Sequence, residues 1–169
     1  VGTRKSHSSP LTPRNYKQKR LGCLFKAGFG FYAEYNIRLL FLLIFQKADI
    51  VCCIDLDTIL PVWMVCRLKN RKGVYDAHEY FSEQKEVISR PRVHKVWKWI
   101  EKSFVPRFKN GYTVCESIAD EFKKLYGVEY EVIRNVPVLK LLLPASPVMN
   151  KVILYQGAVN EARGLEFLI

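Results

Sequence analysis

Several features that would place a sequence in a special class are absent from this chain. Its five cysteines include no Cys-x-x-Cys pair, and its three histidines complete no zinc-binding spacing, so a zinc module is not indicated. Its longest apolar run, residues 39–45, is far shorter than the about 20 residues that a membrane-spanning helix needs. The lack of a Gly-x-Gly-x-x-Gly fingerprint argues against a dehydrogenase or epimerase of the Rossmann type.

What is present is an ordinary globular composition. The chain has 169 residues, of which 49% are hydrophobic and 25% are charged, and these values exclude wholesale disorder, a collagen-like repeat and a small disulfide scaffold. At about 150 residues per domain, a single domain would be the default. However, the chain begins without methionine, and residues 164–169 resemble the first turn of a helix, so we expect a fragment of a longer protein.

The cysteines also indicate a cellular compartment. Their number is odd and their spacing is irregular, which is typical of a reducing, cytoplasmic environment without a disulfide framework. Cys52, Cys53 and Cys66 lie in apolar runs, where cysteine behaves as a small buried hydrophobe. We therefore expect free thiols and a buried position for these three side chains.

Positive charge is concentrated in two blocks of the sequence. The net charge is +11. Residues 1–26 contain seven basic residues and no acidic one, and residues 67–110 contain twelve basic and five acidic residues. Such blocks usually form a solvated face, but clustered ones bind the phosphate of nucleic acid, anionic lipid or nucleotides. Composition does not distinguish among these partners.

Apolar periodicity predicts alternating strands and helices from residue 31 onwards. The continuous apolar run Ile50–Ile54 is typical of a buried parallel strand. The other predicted elements are strands at 73–77, 112–114, 131–133 and 152–156 and helices at 31–46, 60–68, 91–105 and 117–126. The first thirty residues are predicted to form a basic loop. This alternation predicts an α/β fold with a Rossmann-like, doubly wound parallel sheet.

Three of these helices carry further expectations. Helix 31–46 is strongly apolar, so it either packs in a soluble core, which we favour, or inserts into a membrane. Helix 91–105 has a basic face and an apolar stripe that includes Trp97. It either packs on the core or, with Trp99, lies on an anionic membrane surface. The last of the four helices is predicted to begin with Ser117 as its N-cap.

A change of pattern divides the chain. Residues 136–150 contain three prolines and no helical period, which indicates a linker. A strand pattern restarts at 152–156 and is followed by a glycine and an incipient helix. We therefore expect a first domain at 1–140, a linker at 141–150 and the beginning of a second domain at 151–169.

Titratable side chains follow two of the predicted strands, at the edge where open parallel sheets bind ligands. Asp55 and Asp57 follow the first strand. They could bind a divalent cation, but helix capping combined with polar contact to a ligand is the interpretation we favour. Asp76, His78 and Glu79 follow the second strand. His78 either transfers a proton or donates a hydrogen bond to a ligand, or it belongs to a solvated turn. These five residues are our candidates for one cleft.

A third loop, residues 157–164, follows the last predicted strand and precedes a helix. Backbone N–H groups at a helix start, together with the helix dipole, favour the binding of phosphate. Gly157, Arg163 and Gly164 are the residues that we expect at this anion site, and Arg163 would add a charge-assisted contact. An ordinary strand-to-helix loop with a solvated arginine is the alternative.

Seven short motifs also occur in an order that is familiar from one enzyme family. They are Ala48-Asp49-Ile50, Asp55-Leu56-Asp57-Thr58, Val74-Tyr75-Asp76-Ala77-His78-Glu79, Tyr112-Thr113-Val114-Cys115-Glu116-Ser117-Ile118-Ala119, Val132-Ile133-Arg134-Asn135-Val136-Pro137, Leu154-Tyr155-Gln156-Gly157-Ala158 and Arg163-Gly164-Leu165-Glu166. In this order they resemble bacterial family 4 glycosyltransferases, retaining enzymes with two Rossmann-like domains in the GT-B arrangement. The resemblance implies that residues 1 to about 140 form most of the acceptor-binding domain, without its first strand and the glycine-bearing loop after it. Residues from about 151 would open the nucleotide-sugar domain.

The resemblance also implies roles for individual residues. His78 matches a histidine that faces the cleft in this family. Arg163 stands where the family often has a lysine for the diphosphate, whereas Ala158 replaces a common arginine, so that contact is only half preserved. Such enzymes transfer a sugar from a nucleoside diphosphate sugar to an acceptor hydroxyl with retention of configuration. Cationic side chains and a helix dipole there take the place of a metal.

The implied enzyme needs no metal or other cofactor. Its partners would be a nucleotide-sugar donor and a saccharide or lipid-linked acceptor, and nucleic acid is not expected. A lipid-linked acceptor would place the enzyme in the cytoplasm at the inner face of the membrane, in peripheral contact with anionic lipid. The fragment alone is expected to be inactive. The alternative, from the residues alone, is a non-catalytic basic module that binds an anionic membrane or nucleic acid.

Overall fold

The structure is a computed structural model that describes residues 1–4, 8–136, 154–156 and 165–167. The chain divides into two compact units, Val1–Arg134 and Asn135–Ile169. Most of the second unit lies outside the described residues. The expected linker, all but residues 154–156 of the last predicted strand, and the anion-site residues Gly157, Arg163 and Gly164 therefore fall outside them.

The first unit alternates strands and helices as the sequence predicts. Its elements are β1 (Gly2–Arg4), β2 (Arg20–Gly22), α1 (Gly28–Phe45), β3 (Ile50–Ile54), α2 (Ile59–Lys69), β4 (Lys72–Ala77), α3 (Lys85–Ile88), α4 (Pro91–Phe104), β5 (Asn110–Thr113), α5 (Glu116–Tyr126) and β6 (Glu131–Val132). Every helix and strand predicted between residues 31 and 133 is confirmed, with ends that shift by three residues at most. The prediction of a loop for the first thirty residues was wrong at residues 2–4 and 20–22, where β1 and β2 form, and at residues 28–30, where α1 begins.

All described strands pair in parallel, which confirms a mixed α/β class. β3, β4, β5 and β6 form one sheet in this order, and β1 and β2 form a separate two-stranded sheet. In the larger sheet Cys53 lies opposite Tyr75, and Ile54 lies opposite Asp76. Asp76 in turn lies opposite Tyr112 of β5. This register fixes which side chains share a face.

The hydrophobic core lies on one face of the larger sheet. Cys53 and Tyr75 point into it from the strands, and α2, α4 and α5 cover it with apolar side chains. The ring of Tyr75 lies at 6.0–6.4 Å from the rings of Phe108, Phe122 and Tyr130, measured between centroids. Aromatic side chains bury large apolar areas, so this cluster is a principal source of stability for the unit.

The opposite face of the sheet is exposed along β3 and carries no covering helix in the described residues. Ile50 and Ile54 are 58% and 57% exposed, and Cys52 is exposed as well. The expectation of a fully buried strand was therefore wrong for β3, of which only Val51 and Cys53 are buried. The physical reason is the strand order. Each right-handed crossover moves one strand in the same direction and so places its helix on the same face.

Helix α1 also differs from its expected place in a soluble core. Only Tyr35 and Leu39 are buried among its 18 residues, and the helix is long and apolar enough to cross a membrane by length and composition. It packs beside α2, and Tyr32 contacts the ring of Trp97 on α4. Glu34 and Arg38, which lie four residues apart on this helix, form an ion pair at 2.8 Å. Much of the apolar surface of α1 thus faces away from the protein.

One predicted helix start was also wrong. Cys115, and not Ser117, occupies the N-cap position of α5, and its side chain makes no capping hydrogen bond to the backbone. The thiol of Cys115 instead contacts the hydroxyl of Ser117, which lies inside the first turn. The predicted end is confirmed, because Gly127 adopts φ 66° after the last turn.

The closest backbone approach in the core predicts a sensitive glycine. A Cβ on Gly111 would lie 2.8 Å from the carbonyl oxygen of Tyr75 and 2.7 Å from the ring of Tyr130. We expect Gly111→Ala to lower the free energy of unfolding by about 1–3 kcal/mol, because the backbone of β4 cannot move aside without loss of the ladder. Urea denaturation measures this change. The control is Gly22→Ala, whose Cβ meets nothing within 4 Å; an equal loss in both variants would contradict the packing argument.

Candidate functional site

The carboxyl ends of β3 and β4 bring two of the sequence-predicted loops together. Ile54 pairs with Asp76, and the backbone N–H of Asp55 donates a hydrogen bond to the carbonyl oxygen of Asp76 at 2.9 Å. The loop that carries Asp55 and Asp57 therefore starts beside the strand end that leads to His78 and Glu79. This parallel pairing is what assembles the candidate site.

Asp55 has an unusual conformation at this point. Its φ is 57°, in the left-handed region that residues with a side chain rarely adopt. The expected capping role was wrong for Asp55, since its side chain makes no capping bond to the turn that follows. Its carboxylate accepts the backbone N–H of Glu79, while Oδ1 is buried without a hydrogen-bond partner among the described residues. A strained residue with an unsatisfied oxygen is typical of a binding position.

The two aspartates of this loop have raised pKa values. Burial is the main cause for Asp55, the charge of Glu79 adds to it, and the charge of His78 opposes it, so that the pKa is about 6. Burial and the charge of Asp55 raise the pKa of Asp57 to about 6 as well. Both carboxyl groups therefore exchange protons close to neutral pH, which suits groups that donate and accept hydrogen bonds to a ligand.

Helix α1 holds the acidic loop in place. The amide nitrogen of Asn36 donates to the carbonyl oxygen of Asp57 at 2.9 Å and to that of Tyr32 at 2.8 Å. The hydroxyl of Thr58 donates to the carbonyl oxygen of Ile54 at 2.8 Å, which closes the turn on the strand end. Sequence reasoning missed Asn36, because a single polar residue in an apolar helix gives no signal of a partner 21 residues away.

Asp76 has a different role from the other acidic candidates. It is buried, and its Oδ2 accepts a hydrogen bond from the hydroxyl of Tyr112 at 2.9 Å. The alternation along the strands places both side chains on the face opposite the hydrophobic core, together with Cys52. Burial and the bond to Asp76 raise the pKa of Tyr112, so the phenol stays protonated. Tyr112 was missed in the sequence, where only the strand register could have linked it to Asp76.

His78 and Glu79 form the outer part of the site. Both are exposed, and the carboxylate of Glu79 accepts a hydrogen bond from the side chain of Gln84. His78 is close enough to Asp55 for its charge to affect the pKa of that carboxyl group. An accessible imidazole beside the proton-exchanging carboxyl group of Asp55 can bind hydroxyls and move a proton. In the part of the chain that the structure describes, no three His, Cys, Asp or Glu side chains are grouped so as to hold a metal ion.

Basic residues gather at the opposite, amino edge of the sheet. A cleft of about 330 Å³ between the starts of β4 and β5 is lined by Arg67, Arg107 and Lys109, with Trp63 on one side. The guanidinium of Arg107 lies 5.3 Å from the ring of Trp63. The sequence showed that residues 67–110 are rich in basic residues, but it did not show where these side chains lie. Only the fold brings these cations together at one edge of the sheet.

Helix α4 packs on the core through its apolar stripe. Trp97 is buried in the core, whereas Trp99 is 62% exposed. On its basic face, Lys98 forms ion pairs with Glu83 at 2.9 Å and with the buried Glu101 at 3.3 Å. Part of the positive charge of this helix is therefore neutralised within the protein.

Comparison of the chain with known protein families, with curated protein sequences and with solved structures found no match in any of the three.

The raised pKa of Asp57 predicts a pH-dependent stability. An unfolded aspartate has a pKa near 3.8 and the folded one a pKa of about 6, so the folded state binds the proton more tightly and loses stability as the pH rises between these values. We expect Asp57→Asn to raise the free energy of unfolding by about 1–3 kcal/mol at pH 7.5, with no gain below pH ~4. Urea denaturation across this range measures the difference.

The control for this measurement is Asp120→Asn, which replaces an exposed carboxylate on α5. It should leave the pH profile of the wild-type protein unchanged. A constant effect of Asp57→Asn at all pH values would mean that packing, and not the proton, accounts for the change.

Proposed function

We propose that this chain is part of a retaining glycosyltransferase that transfers a sugar from a nucleoside diphosphate sugar to an acceptor hydroxyl. The observation that carries the proposal is the meeting of Asp55, Asp57 and His78 at the carboxyl edge of a parallel sheet. Open parallel sheets bind their ligands at this edge. The finer fold assignment, a Rossmann-like acceptor domain of the GT-B type followed by the start of a donor domain, belongs to the same proposal.

The chemistry of the site suits a sugar. Carboxyl groups with a pKa of about 6 exist in both protonation states near neutral pH, so they can accept and donate hydrogen bonds to hydroxyls. Asp55 also offers a buried Oδ1 that lacks a partner among the described residues, which a donor on the acceptor would satisfy. Asp76 supports the site from the strand, through its bond to Tyr112, and Glu79 contributes its backbone N–H to Asp55.

The roles that we propose for the individual residues follow from the charge that each of them carries. His78 positions the reacting sugar or the acceptor by a hydrogen bond from its exposed imidazole. Gly157, Arg163 and Gly164, which lie outside the described residues, bind the donor diphosphate through backbone N–H groups and the guanidinium. These positive groups stabilise the charge that develops on the departing diphosphate, so no metal or other cofactor takes part in the proposal.

Two histidines of the chain, His78 and His94, allow this proposal to be tested with a matched control. In the longer enzyme, we expect His78→Ala to lower the rate of sugar transfer by about 10²-fold or more, because a positioned hydrogen-bonding or proton-transfer group contributes on that scale. The control is His94→Ala, which removes an imidazole that lies 3.6 Å from the carboxylate of Glu83 on the helical side. Transfer of sugar from a radiolabelled nucleoside diphosphate sugar is the measurement. Equal rates for His78→Ala and the wild-type protein would reject the role of His78.

The basic side chains at the amino edge of the larger sheet favour a second function, which is contact with an anionic membrane. Arg67, Lys109 and Arg107 line one cleft there, and Lys47, Lys69 and Lys72 lie along its neighbour. Cations near a lipid surface each contribute about 1 kcal/mol of attraction to anionic lipid. This surface lies at the other end of the sheet from the candidate site, so membrane contact and glycosyl transfer are compatible.

Charge reversal tests this membrane surface. We expect Arg67→Glu combined with Lys109→Glu to lower binding to phosphatidylserine-containing vesicles at least tenfold at low salt, because two attractive charges become repulsive. Sedimentation with vesicles measures the bound fraction. The control, Lys123→Glu combined with Lys124→Glu, changes the net charge equally on α5. An equal loss in both variants would indicate a general charge effect, and binding to polynucleotide but not to vesicles would reject the membrane as the partner.

A further inference from the structure

The cleft between the starts of β4 and β5, at the amino edge of the larger sheet, has a lining of one charge. Its volume is about 330 Å³, and every charged side chain among the described residues that line it is a cation. Two carboxamides line it as well. These polar side chains are Arg67, Arg71, Arg107, Lys109, Asn70 and Asn110. Cations placed together repel one another and create a positive potential, so an anion that binds among them is stabilised.

The positive charge of this cleft is not neutralised within the protein. Among the described residues, none of its four cations forms an ion pair. By contrast, Lys98 on α4 is paired with two carboxylates. Arg67, Arg107 and Lys109 are also exposed, so an anion in solution can reach them. The charge therefore remains available to a ligand.

Aromatic rings hold the guanidinium of Arg107 in place. Its central carbon lies 5.3 Å from the centroid of the Trp63 ring and 5.1 Å from that of Phe104, and one terminal nitrogen donates a hydrogen bond to the carbonyl oxygen of Ser103. A guanidinium has five N–H donors, and stacking on a ring leaves the donors at its edge available. Arg107 therefore offers N–H groups whose position is fixed before a ligand binds, which lowers the entropic cost of binding.

Arg71 forms a wall that this cleft shares with the neighbouring one. Its guanidinium donates hydrogen bonds to the carbonyl oxygen of Leu43 at 3.0 Å and to that of Gln46, at the end of α1. The carboxyl end of a helix carries a partial negative charge, which offsets part of the charge of Arg71. We therefore expect the main contacts to a ligand from the other three cations.

A compact phosphate fits this lining. Planar guanidinium groups match the oxygen atoms of phosphate in paired hydrogen bonds, and the ammonium and carboxamide groups supply further N–H donors. The apolar side of the cleft is closely packed, because a Cβ on Gly73 would lie 2.7 Å from the ring of Phe108 and 3.4 Å from Sγ of Cys66. Recognition in this cleft therefore depends on its charged and amide groups.

A polynucleotide fits the cleft less well than a compact phosphate does. Proteins that bind single strands stack the bases on exposed aromatic rings along an extended basic groove. Here the guanidinium of Arg107 already lies over the ring of Trp63, and Phe108, the other aromatic side chain of the lining, is buried. The lining thus favours the phosphate of a ligand over its bases.

We propose that the amino-edge cleft is a binding site for one compact phosphate group of high charge, a phosphomonoester or a diphosphate, held by Arg67, Arg107 and Lys109. A free diphosphate and a lipid headgroup that ends in a phosphomonoester offer the same chemistry. For the lipid, the proposal rests on the proposed membrane contact and gives that surface a preferred headgroup. For the free ligand, it is independent of both proposed functions.

Calorimetric titration with inorganic pyrophosphate tests the free ligand. We expect one saturable site per chain at low salt, and an affinity at least tenfold lower in Arg67→Gln combined with Lys109→Gln, because two of the three principal contacts are removed. The control is Lys47→Gln combined with Lys72→Gln, which removes the same charge from exposed residues that line only the neighbouring cleft. Its affinity should stay within about threefold of the wild-type value. Equal melting temperatures show that both variants fold.

Vesicles of equal surface charge test the lipid headgroup. Phosphatidate ends in a phosphomonoester, whereas phosphatidylserine does not. For a lipid ligand, we expect an affinity for phosphatidate vesicles at least about threefold higher than for phosphatidylserine vesicles, because the terminal phosphate carries more charge. Arg67→Gln combined with Lys109→Gln should remove this preference, and the control variant should retain it. Pyrophosphate binding without the preference would assign the site to a free phosphate.

Three outcomes would overturn the proposal. The first is the lack of saturable pyrophosphate binding together with equal binding to the two kinds of vesicle. The second is an equal affinity of the two double variants, because the effect would then come from the overall charge or from another site. The third is a polynucleotide that binds through Arg67 and Lys109 and that pyrophosphate does not displace. Binding to phosphatidylserine vesicles is measured separately, so the proposed membrane contact and the phosphate site can fail independently.

Discussion

The parallel pairing of β3 with β4 is the interaction on which the rest of the structure depends. It aligns Cys53 with Tyr75 on the inner face, where the aromatic core forms, and Ile54 with Asp76 at the strand ends. Through the bond from the N–H of Asp55 to the carbonyl oxygen of Asp76, it also places two polar loops side by side. If this register shifted by one residue, the buried side chains of β3 would exchange faces with the exposed ones, and the core and the candidate site would be lost together.

The sheet is covered on one face only within the described residues, and this follows from its simple strand order. Successive right-handed crossovers stack α2, α4 and α5 on the same side. The arrangement leaves Ile50 and Ile54 exposed on the other face, and on α1 the apolar side chains of Phe41 and Phe45 are exposed as well. α1 nevertheless contributes to the site, because Asn36 holds the backbone of Asp57. The exposed apolar surface of α1 and the loop that carries the acidic pair are therefore connected through one helix.

The two edges of the sheet have opposite chemistry. The carboxyl edge carries acidic groups whose pKa values burial raises toward neutrality, and the amino edge carries exposed cations around Trp63. In the proposed function, this separation would let one end of the protein bind a sugar while the other contacts an anionic membrane. The sequence predicted the candidates Asp55, Asp57 and His78 from their positions after apolar runs, and the structure brings their loops together. It could not predict Tyr112 or Asn36, because their partners are distant in the chain.

The sequence by itself determined the alternation of strands and helices, since apolar periodicity, proline and glycine act locally on the backbone. It thus located β3 to β6 and α1, α2, α4 and α5 to within three residues and indicated the loops with chemistry. Only the tertiary structure decided which faces are covered, because Val51 and Ile50 are equally apolar and differ only in the side of the sheet that they occupy. It also decided the pKa values of Asp55 and Asp57. A raised pKa depends on burial and on neighbouring charges, and both arise when distant segments pack together.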